Sequence, residues 1–155
     1  MNRRQVLKAG GGTSLLALLA AAGSLEPGDA RAEGWNSAAF STKNLADTMK
    51  ALGGGEPSRS TDIVFSQTPE IAENGAVVPV SITSNIANTE SIAILIEHNP
   101  NMLAAVFDLP PGTEPTITTR VKMNQSSNIL ALVKADGKYY VAMKEVKVTI
   151  GGCGG

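Results

Sequence analysis

The feature that most constrains the fold is the density of β-branched residues between residues 61 and 150. This segment holds ten valines, ten isoleucines and nine threonines, whereas residues 33–60 hold no valine and no isoleucine. Branched side chains favour extended backbone because they pack well on a pleated sheet. Apolar and polar residues alternate in short runs, as at Val78, Val80 and Ile82. This pattern predicts an all-β region of about seven short strands.

Turn-forming residues separate these runs at intervals of about 8–12 residues, which is typical of an antiparallel β-sandwich that is Ig-like in general shape. Asp136-Gly137 is the signal of a tight hairpin between predicted strands at 129–134 and 139–150. Pro79 has no N–H group, which predicts that its strand is an edge strand or is bulged. The other predicted turns are at Asn74-Gly75, Asn99-Pro100 and Pro110-Pro111-Gly112.

One short helix is predicted before the β region, over residues 42–52, with Ser41 or Thr42 as its N-cap and Gly53 after its end. Its apolar face consists of Leu45, Met49 and Leu52. A helix of this length is unstable alone, so we expect it to pack on the sheet or on a partner. The glycines that follow, 53–55, are predicted to link it to the strands.

The first 32 residues have the three parts of an export signal: a basic start, an apolar segment and the small-residue triplet Ala30-Arg31-Ala32. The alternative is a membrane anchor, but the apolar core at 15–22 is shorter than the ~20 residues that a bilayer requires. Arg3 and Arg4 resemble a twin-arginine signal, which is used for folded export. We therefore predict cleavage after Ala32, which leaves 123 residues with a net charge of −3.

Composition excludes several functions. The formal charge of the full chain is −1 and only six residues are aromatic, which argues against binding to nucleic acid or to an anionic membrane. One cysteine and one histidine are too few for an internal disulfide or a typical four-ligand zinc site. The sequence shows no phosphate-binding loop, catalytic triad or paired-carboxylate site, so we predict no catalytic residue, no metal and no cofactor.

The only cysteine, Cys153, lies in the last five residues, 151–155. All of its neighbours in this segment are glycines: Gly151, Gly152, Gly154 and Gly155. Glycines carry no side chain to bury, so we predict a thin, mobile arm after the last strand, 33–150 being the folded domain. Cys153 would extend roughly 10 Å from Ile150, at about 3.3–3.6 Å per residue.

A thiolate on such an arm can attack oxidised sulfur and form a mixed disulfide or a related adduct. The pKa of a free cysteine is about 8.5, and the arm holds no basic residue that would lower it. Activation must then come from a partner, which favours a covalent carrier over an enzyme that uses Cys153 as its own nucleophile. The alternatives are a terminal cysteine without a role, an intermolecular disulfide, or an exported Ig-like binding or adhesion module.

The arm after Val146-Lys147-Val148-Thr149-Ile150 resembles the C-terminus of the SoxY family, the sulfur carriers of periplasmic sulfur oxidation (Sox) systems. Upstream, 72–80, 97–100 and 119–123 are similar to that family as well, so the resemblance covers essentially the whole chain. One departure is Asn101-Met102-Leu103, where the family has a shorter phrase with a proline.

This resemblance implies an Ig-like β-sandwich and a heterodimer with a SoxZ subunit that has no export signal. In the family, thiosulfate is oxidatively joined to the arm cysteine, here Cys153, and sulfate is then hydrolysed from the adduct. The remaining sulfur is oxidised and hydrolysed in turn. Separate periplasmic enzymes perform these steps: a c-type cytochrome, a dimanganese hydrolase and a sulfane dehydrogenase. The carrier itself is expected to catalyse nothing and to have no membrane contact after cleavage.

A few other residues have two interpretations. His98, at a predicted strand end, is a proton donor or ligand in one and a structural hydrogen-bonding residue in the other, which we favour. For Asp47 and Glu33 a solvated surface position is favoured. Tyr139 and Tyr140 are interface residues or core residues, which the sequence does not separate. Four basic residues either form a patch for an acidic partner or are solvated: Arg120, Lys122, Lys144 and Lys147.

Overall fold

The computed structural model describes residues 36–150. The predicted signal peptide, its cleavage position after Ala32, Glu33 and the predicted arm at 151–155 all lie outside the described residues. Within 36–150, none of the helices is both long enough and apolar enough to cross a membrane.

Two short helices precede nine strands in the described part of the chain. The helices are α1 (Ser37–Phe40) and α2 (Leu45–Ala51). The strands are β1 (Ser58–Arg59), β2 (Ile63–Phe65), β3 (Ile71–Asn74), β4 (Val78–Ser84), β5 (Thr89–Ile96), β6 (Leu103–Asp108), β7 (Thr116–Val121), β8 (Ser127–Ala135) and β9 (Lys138–Ile150). The larger sheet has the order β1-β9-β8-β5-β6, with β3 also paired to β9, and the smaller one has the order β2-β4-β7.

The two sheets pack face to face around one apolar core, as the alternation of apolar residues predicts. Val78, Val80 and Ile82 of β4 are fully buried in it. From the larger sheet, the same core receives Ile92, Ile94, Ile96, Ile129, Ala131, Val133 and Val146. The all-β sandwich predicted from the sequence is therefore confirmed.

A second apolar cluster covers the outer face of the larger sheet. Ala93 and Leu95 of β5 point away from the sandwich core and are buried against the helical segment, which supplies Ala39 and Met49. Strand β5 is consequently apolar on both faces, because each face is covered by a different layer. The prediction that the helix packs on the sheet is confirmed.

Strand pairing departs from the prediction of a purely antiparallel sandwich. β9 pairs with β8 in antiparallel orientation along one edge. Along its other edge it pairs in parallel with β1, at Ser58↔Tyr140, and with β3, at Ile71↔Lys147. β1 and β3 are far from β9 in sequence, and the intervening chain forms other strands, so both can lie parallel to it. With these short strands, the sandwich has nine strands and not the predicted seven.

The predicted helix is shorter than expected and has a different N-cap. Asn44, and not Ser41 or Thr42, caps α2: its extended backbone precedes the helix and its Oδ1 accepts a hydrogen bond from the Asp47 amide at 2.8 Å. The Thr42 hydroxyl instead lies 2.6 Å from that of Thr48 and serves the tertiary packing of the two helices. Gly53 ends the helix with a φ of +74°, as predicted.

β4 is the central strand of the smaller sheet and not an edge strand, but Pro79 lies beyond the part of β4 that pairs with β2. The backbone carbonyl of Ser81 points away from β7, since it accepts a hydrogen bond from the Ser66 amide at 3.0 Å. The backbone polar positions of Pro79, two residues earlier in the strand, face the same side. β2 pairs only with residues 82–84, so the missing N–H of Pro79 removes no ladder hydrogen bond.

Gly54 and Gly55 provide a test of the contact between the glycine segment and the sheet. A Cβ at Gly54 would overlap the Tyr139 ring and lie 2.8 Å from the Met49 methyl group, whereas one at Gly55 meets nothing within 4 Å. The Tyr139 ring is held by its hydroxyl, which donates to the Leu52 carbonyl at 3.0 Å. Gly54→Ala should cost about 1–3 kcal/mol in urea unfolding, and the control Gly55→Ala should be neutral or slightly stabilising. Equal stability of the two variants would contradict the packing.

The β8–β9 hairpin is tied to β5 by Glu90. Nζ of Lys134 lies 2.8 Å from its Oε2, and the Gly137 amide donates to its Oε1 at 3.0 Å. The hydrogen bond from Lys134, and then that from Gly137, hold the pKa of Glu90 below its usual value. Glu90 in turn raises the pKa of Lys134.

The Glu90→Gln variant should be less stable than the wild type at neutral pH, and the difference should disappear in acid. A carboxyl whose folded pKa is lowered stabilises the fold above its unfolded pKa and loses that effect as the pH falls through the folded pKa. The effect is small because both side chains are exposed. Urea unfolding near neutral pH and below pH 4 measures it, with Glu114→Gln as an exposed control. A difference that persists unchanged in acid would contradict the assignment.

Candidate functional site at the end of strand β9

Strand β9 ends at Ile150, the last described residue, which lies three residues before Cys153 and hence beside the start of the predicted arm. We call this region the arm base and define it as β3, the turn 75–77 and residues 147–150 of β9. Two of its residues, Asn74 and Ile150, pair directly. Cys153 itself lies outside the described residues, and so do Gly151, Gly152, Gly154 and Gly155.

One edge of the β9 end is held by β3 and its turn. The Lys147 amide donates to the Glu70 carbonyl at 2.9 Å, and the Gly75 amide donates to the Ile150 carbonyl at 2.8 Å. The Thr149 hydroxyl donates to the Glu73 carbonyl at 2.8 Å. Along this edge β9 is therefore paired up to Ile150, the last described residue.

On the opposite edge, β8 starts only at Ser127, which pairs with Val146, so residues 147–150 of β9 extend past β8. Ser126 holds this edge of β9 instead. The Val148 amide donates to Oγ of Ser126 at 2.9 Å, and this hydroxyl in turn lies 3.4 Å from the Val148 carbonyl. One side chain thus takes the place of the missing strand residue. Nothing in the local sequence marks Ser126 for this role, since a serine beside another serine is common in turns.

His98 supports this serine and the next one through two hydrogen bonds. Its Nδ1 lies 3.0 Å from the Ser126 carbonyl, which can only accept, so Nδ1 carries the proton in this bond. Its backbone amide donates to the Ser127 hydroxyl at 3.0 Å. The structural interpretation of His98 agrees with these bonds.

The side chains of β9 add an apolar anchor to the backbone pairing. Val146 is fully buried in the sandwich core, and Val148 packs partly buried against it. Moving the end of β9 would therefore expose apolar surface as well as break hydrogen bonds. The position at which the predicted arm would begin is therefore held relative to the core.

The four basic residues do not form a single patch. Lys144 and Lys147 line a cleft with Glu70 and Glu145, and Nζ of Lys144 donates to the Thr68 carbonyl at 2.6 Å. Arg120 and Lys122 line a different cleft, beside the 99–105 segment. Acidic and polar neighbours accompany the basic residues, so the solvated interpretation describes them better than an acidic-partner site.

Other candidate residues have structural positions. Tyr139 and Tyr140 are half-buried against the two apolar clusters, which assigns both to packing. Asp47 is exposed in the first turn of α2. Among residues 36–150, no group of three or more histidine, cysteine, aspartate or glutamate side chains is arranged to hold a metal ion.

Comparison with known proteins identifies the family. A family profile described as sulfur oxidation protein SoxY matches residues 48–153, which extends from α2 to the cysteine. The chain belongs to the SoxY family. The solved structure of the sulfur carrier protein SoxY from Chlorobium limicola f thiosulfatophilum is 40% identical, covers 67% of this chain and 94% of its own, and superposes with a TM-score of 0.60.

Two further findings complete the comparison of this SoxY-family chain. A superoxide reductase (neelaredoxin) from Ignicoccus hospitalis matches at 20% identity and a TM-score of 0.48, over 56% of this chain and 78% of its own. A search of curated protein sequences found no match.

Ser126→Ala should loosen the arm base locally. The variant leaves the Val148 amide without its partner, and a typical hydrogen bond contributes about 0.5–1.5 kcal/mol. Hydrogen exchange of the Val148 amide should accelerate about two- to tenfold, while amides of the central strand β5 keep their protection. Ser58→Ala, at an exposed serine beside the other end of β9, serves as the control. An unchanged exchange rate at Val148 would show that Ser126 does not hold the strand.

Proposed function

We propose that this chain is the covalent carrier of intermediates in sulfur oxidation and that the thiol of Cys153 is the attachment point. The observation that carries the proposal is the family match, which runs through the fold and includes the single cysteine of the sequence. The 40% identical structure is described as a sulfur carrier protein, which supports the same role. A β9 end that is paired on both edges gives the arm a fixed origin.

The chemistry of attachment follows from sulfur redox rules. The Cys153 thiolate and the outer sulfur of thiosulfate form an S–S bond, and two electrons leave to an oxidant, in the family a c-type cytochrome. Water then cleaves the bond between sulfur and the sulfonate group, which releases sulfate and two protons and leaves a persulfide on Cys153. This species is the substrate for further oxidation by the sulfane dehydrogenase. At each step the bond to Cys153 retains the cargo.

The domain acts as a carrier and the partners supply the catalysis. The arm contains no base, and His98, the only histidine, uses its Nδ1 to hold the Ser126 carbonyl. A thiol with a pKa of about 8.5 is mostly protonated at neutral pH, so its activation takes place in the active sites of partners. Four flanking glycines keep the arm narrow enough to enter such sites.

The partners and the export route follow from the same assignment. The chain pairs with a SoxZ-like subunit and presents Cys153 to the periplasmic Sox enzymes, among them the cytochrome, the dimanganese hydrolase and the sulfane dehydrogenase. Arg3 and Arg4 direct folded export, with cleavage after Ala32. Folded export explains how a subunit without its own signal reaches the periplasm, since it crosses bound to this chain.

Intact-mass measurement of the protein from thiosulfate-grown cells tests the proposal. The wild type should carry adducts whose masses correspond to added sulfur atoms and to a sulfonate group, and reducing agents should remove them. Cys153→Ser, which removes the only thiol, should carry none and should abolish thiosulfate-dependent respiration. Glu114→Gln, at an exposed residue outside the arm, serves as a control that keeps the thiol.

Two outcomes would contradict the proposal. One is an unmodified thiol throughout turnover, and the other is full activity after deletion of 151–155. The second outcome is what the alternative of an exported binding or adhesion module predicts.

A further inference from the structure

Asn74-Gly75 is the only Asn-Gly dipeptide of the sequence, and it lies in the arm base. An asparagine side chain is attacked most readily by the amide of a following glycine, because glycine has no Cβ that shields its nitrogen. Asn74 ends β3 and is exposed, whereas Gly75 is buried. The dipeptide is therefore reactive by type, and the fold decides whether it reacts.

The side chain of Asn74 is folded over the peptide bond that joins it to Gly75. Its Oδ1 accepts a hydrogen bond from the Ala76 amide at 2.8 Å. This bond closes a ring that contains both Cγ of Asn74 and the nitrogen of Gly75, as in an Asx turn. Among the described residues, no hydrogen bond holds Nδ2 of Asn74, which is the leaving atom in such an attack. The two atoms that must join are thus kept close to each other.

Hydrogen bonds on both sides of Gly75 oppose this reaction in the paired arm base. The Gly75 amide donates to the Ile150 carbonyl at 2.8 Å, and the Gly75 carbonyl accepts from the Met123 amide at 2.7 Å. The Gly75 nitrogen attacks only after it has lost its proton, and the bond to Ile150 keeps that proton from hydroxide. Attack therefore requires that the end of β9 first separates from the turn, which is a local opening of the fold.

We propose that Asn74 is a site of spontaneous deamidation and that the hydrogen bond between Gly75 and Ile150 controls its rate. The Gly75 nitrogen forms a bond with Cγ of Asn74, the bond between Cγ and Nδ2 breaks, and the Gly75 amide proton leaves with Nδ2 as ammonia. Water then opens the succinimide ring and gives aspartate or isoaspartate. The reaction needs only water and hydroxide, so this inference does not depend on the carrier function.

Either product changes the arm base. Aspartate adds a negative charge next to Glu73. Isoaspartate places Cβ in the main chain, and this extra carbon shifts the Gly75 amide relative to the Ile150 carbonyl that it binds. A deamidated chain should therefore hold the end of β9 less firmly than the original chain does.

Peptide mass spectrometry of the purified protein, aged at mildly alkaline pH, tests the proposal. Deamidation is detected as the replacement of the amide by a carboxyl group, and chromatography separates the two products. Asn74 should react at least about tenfold more slowly in the native protein than in urea, because only the open arm base reacts. Asn101 is the internal reference, since it is exposed but precedes a methionine. In urea, Asn101 should react more slowly than Asn74.

Thr149→Val tests whether the end of β9 controls the reaction. The Thr149 hydroxyl donates to the Glu73 carbonyl at 2.8 Å, and valine keeps the β-branched shape without this donor. Loss of the bond should raise the native rate at Asn74 about two- to tenfold and leave the rate in urea unchanged. Thr113→Val, at an exposed threonine of the 109–115 loop, is the matched control and should react like the wild type.

Other outcomes contradict the inference. Equal rates at Asn74 and Asn101 in urea would show that Asn74 is not a favoured site. Equal rates at Asn74 in the native protein and in urea would show that the bond to Ile150 does not protect it. A native rate in Thr149→Val equal to that in Thr113→Val, or no product in either, would show that opening of the β9 end does not control the reaction.

Discussion

The pairing of β9 along both of its edges is the interaction on which the rest of the structure depends. β8 lines one edge in antiparallel orientation, while β1 and β3 line the other in parallel. β9 carries the chain from the Asp136-Gly137 hairpin to Ile150, the last described residue. Its backbone hydrogen bonds and its buried Val146 therefore connect the core of the sandwich to the point where the predicted arm begins.

Two layers on the larger sheet explain why this strand is held so firmly. The smaller sheet covers the inner face, and the helical segment covers the outer face over Ala93 and Leu95. Tyr139 joins β9 to the second layer through its bond to the Leu52 carbonyl, and Gly54 leaves room for its ring. Buried side chains and hydrogen bonds thus link the helical layer, the larger sheet and the arm base, which gives the predicted arm a defined starting position.

How much could be predicted differs from element to element. The β-sandwich followed from alternating runs such as Val78, Val80 and Ile82, because period-2 burial is a local property of a strand. The parallel pairing of Ile71 with Lys147 could not be predicted, because it joins residues far apart in sequence. The N-cap at Asn44 was missed because Ser41 and Thr42 are also capping residue types, and only the fold shows that the Thr42 hydroxyl is bonded to that of Thr48 instead. Ser126 gave no signal, since its role depends on where β8 begins.

By itself the sequence determined the chemistry available to this protein: one thiol, four flanking glycines and no nearby base, which together favour a carrier. These properties need no fold, because they follow from residue types and their order. Only the tertiary structure decided what surrounds the start of the arm. The end of β9 lies beside β3, with Ile71 opposite Lys147 and Asn74 opposite Ile150, and such a contact between distant segments exists only once the sheet has formed.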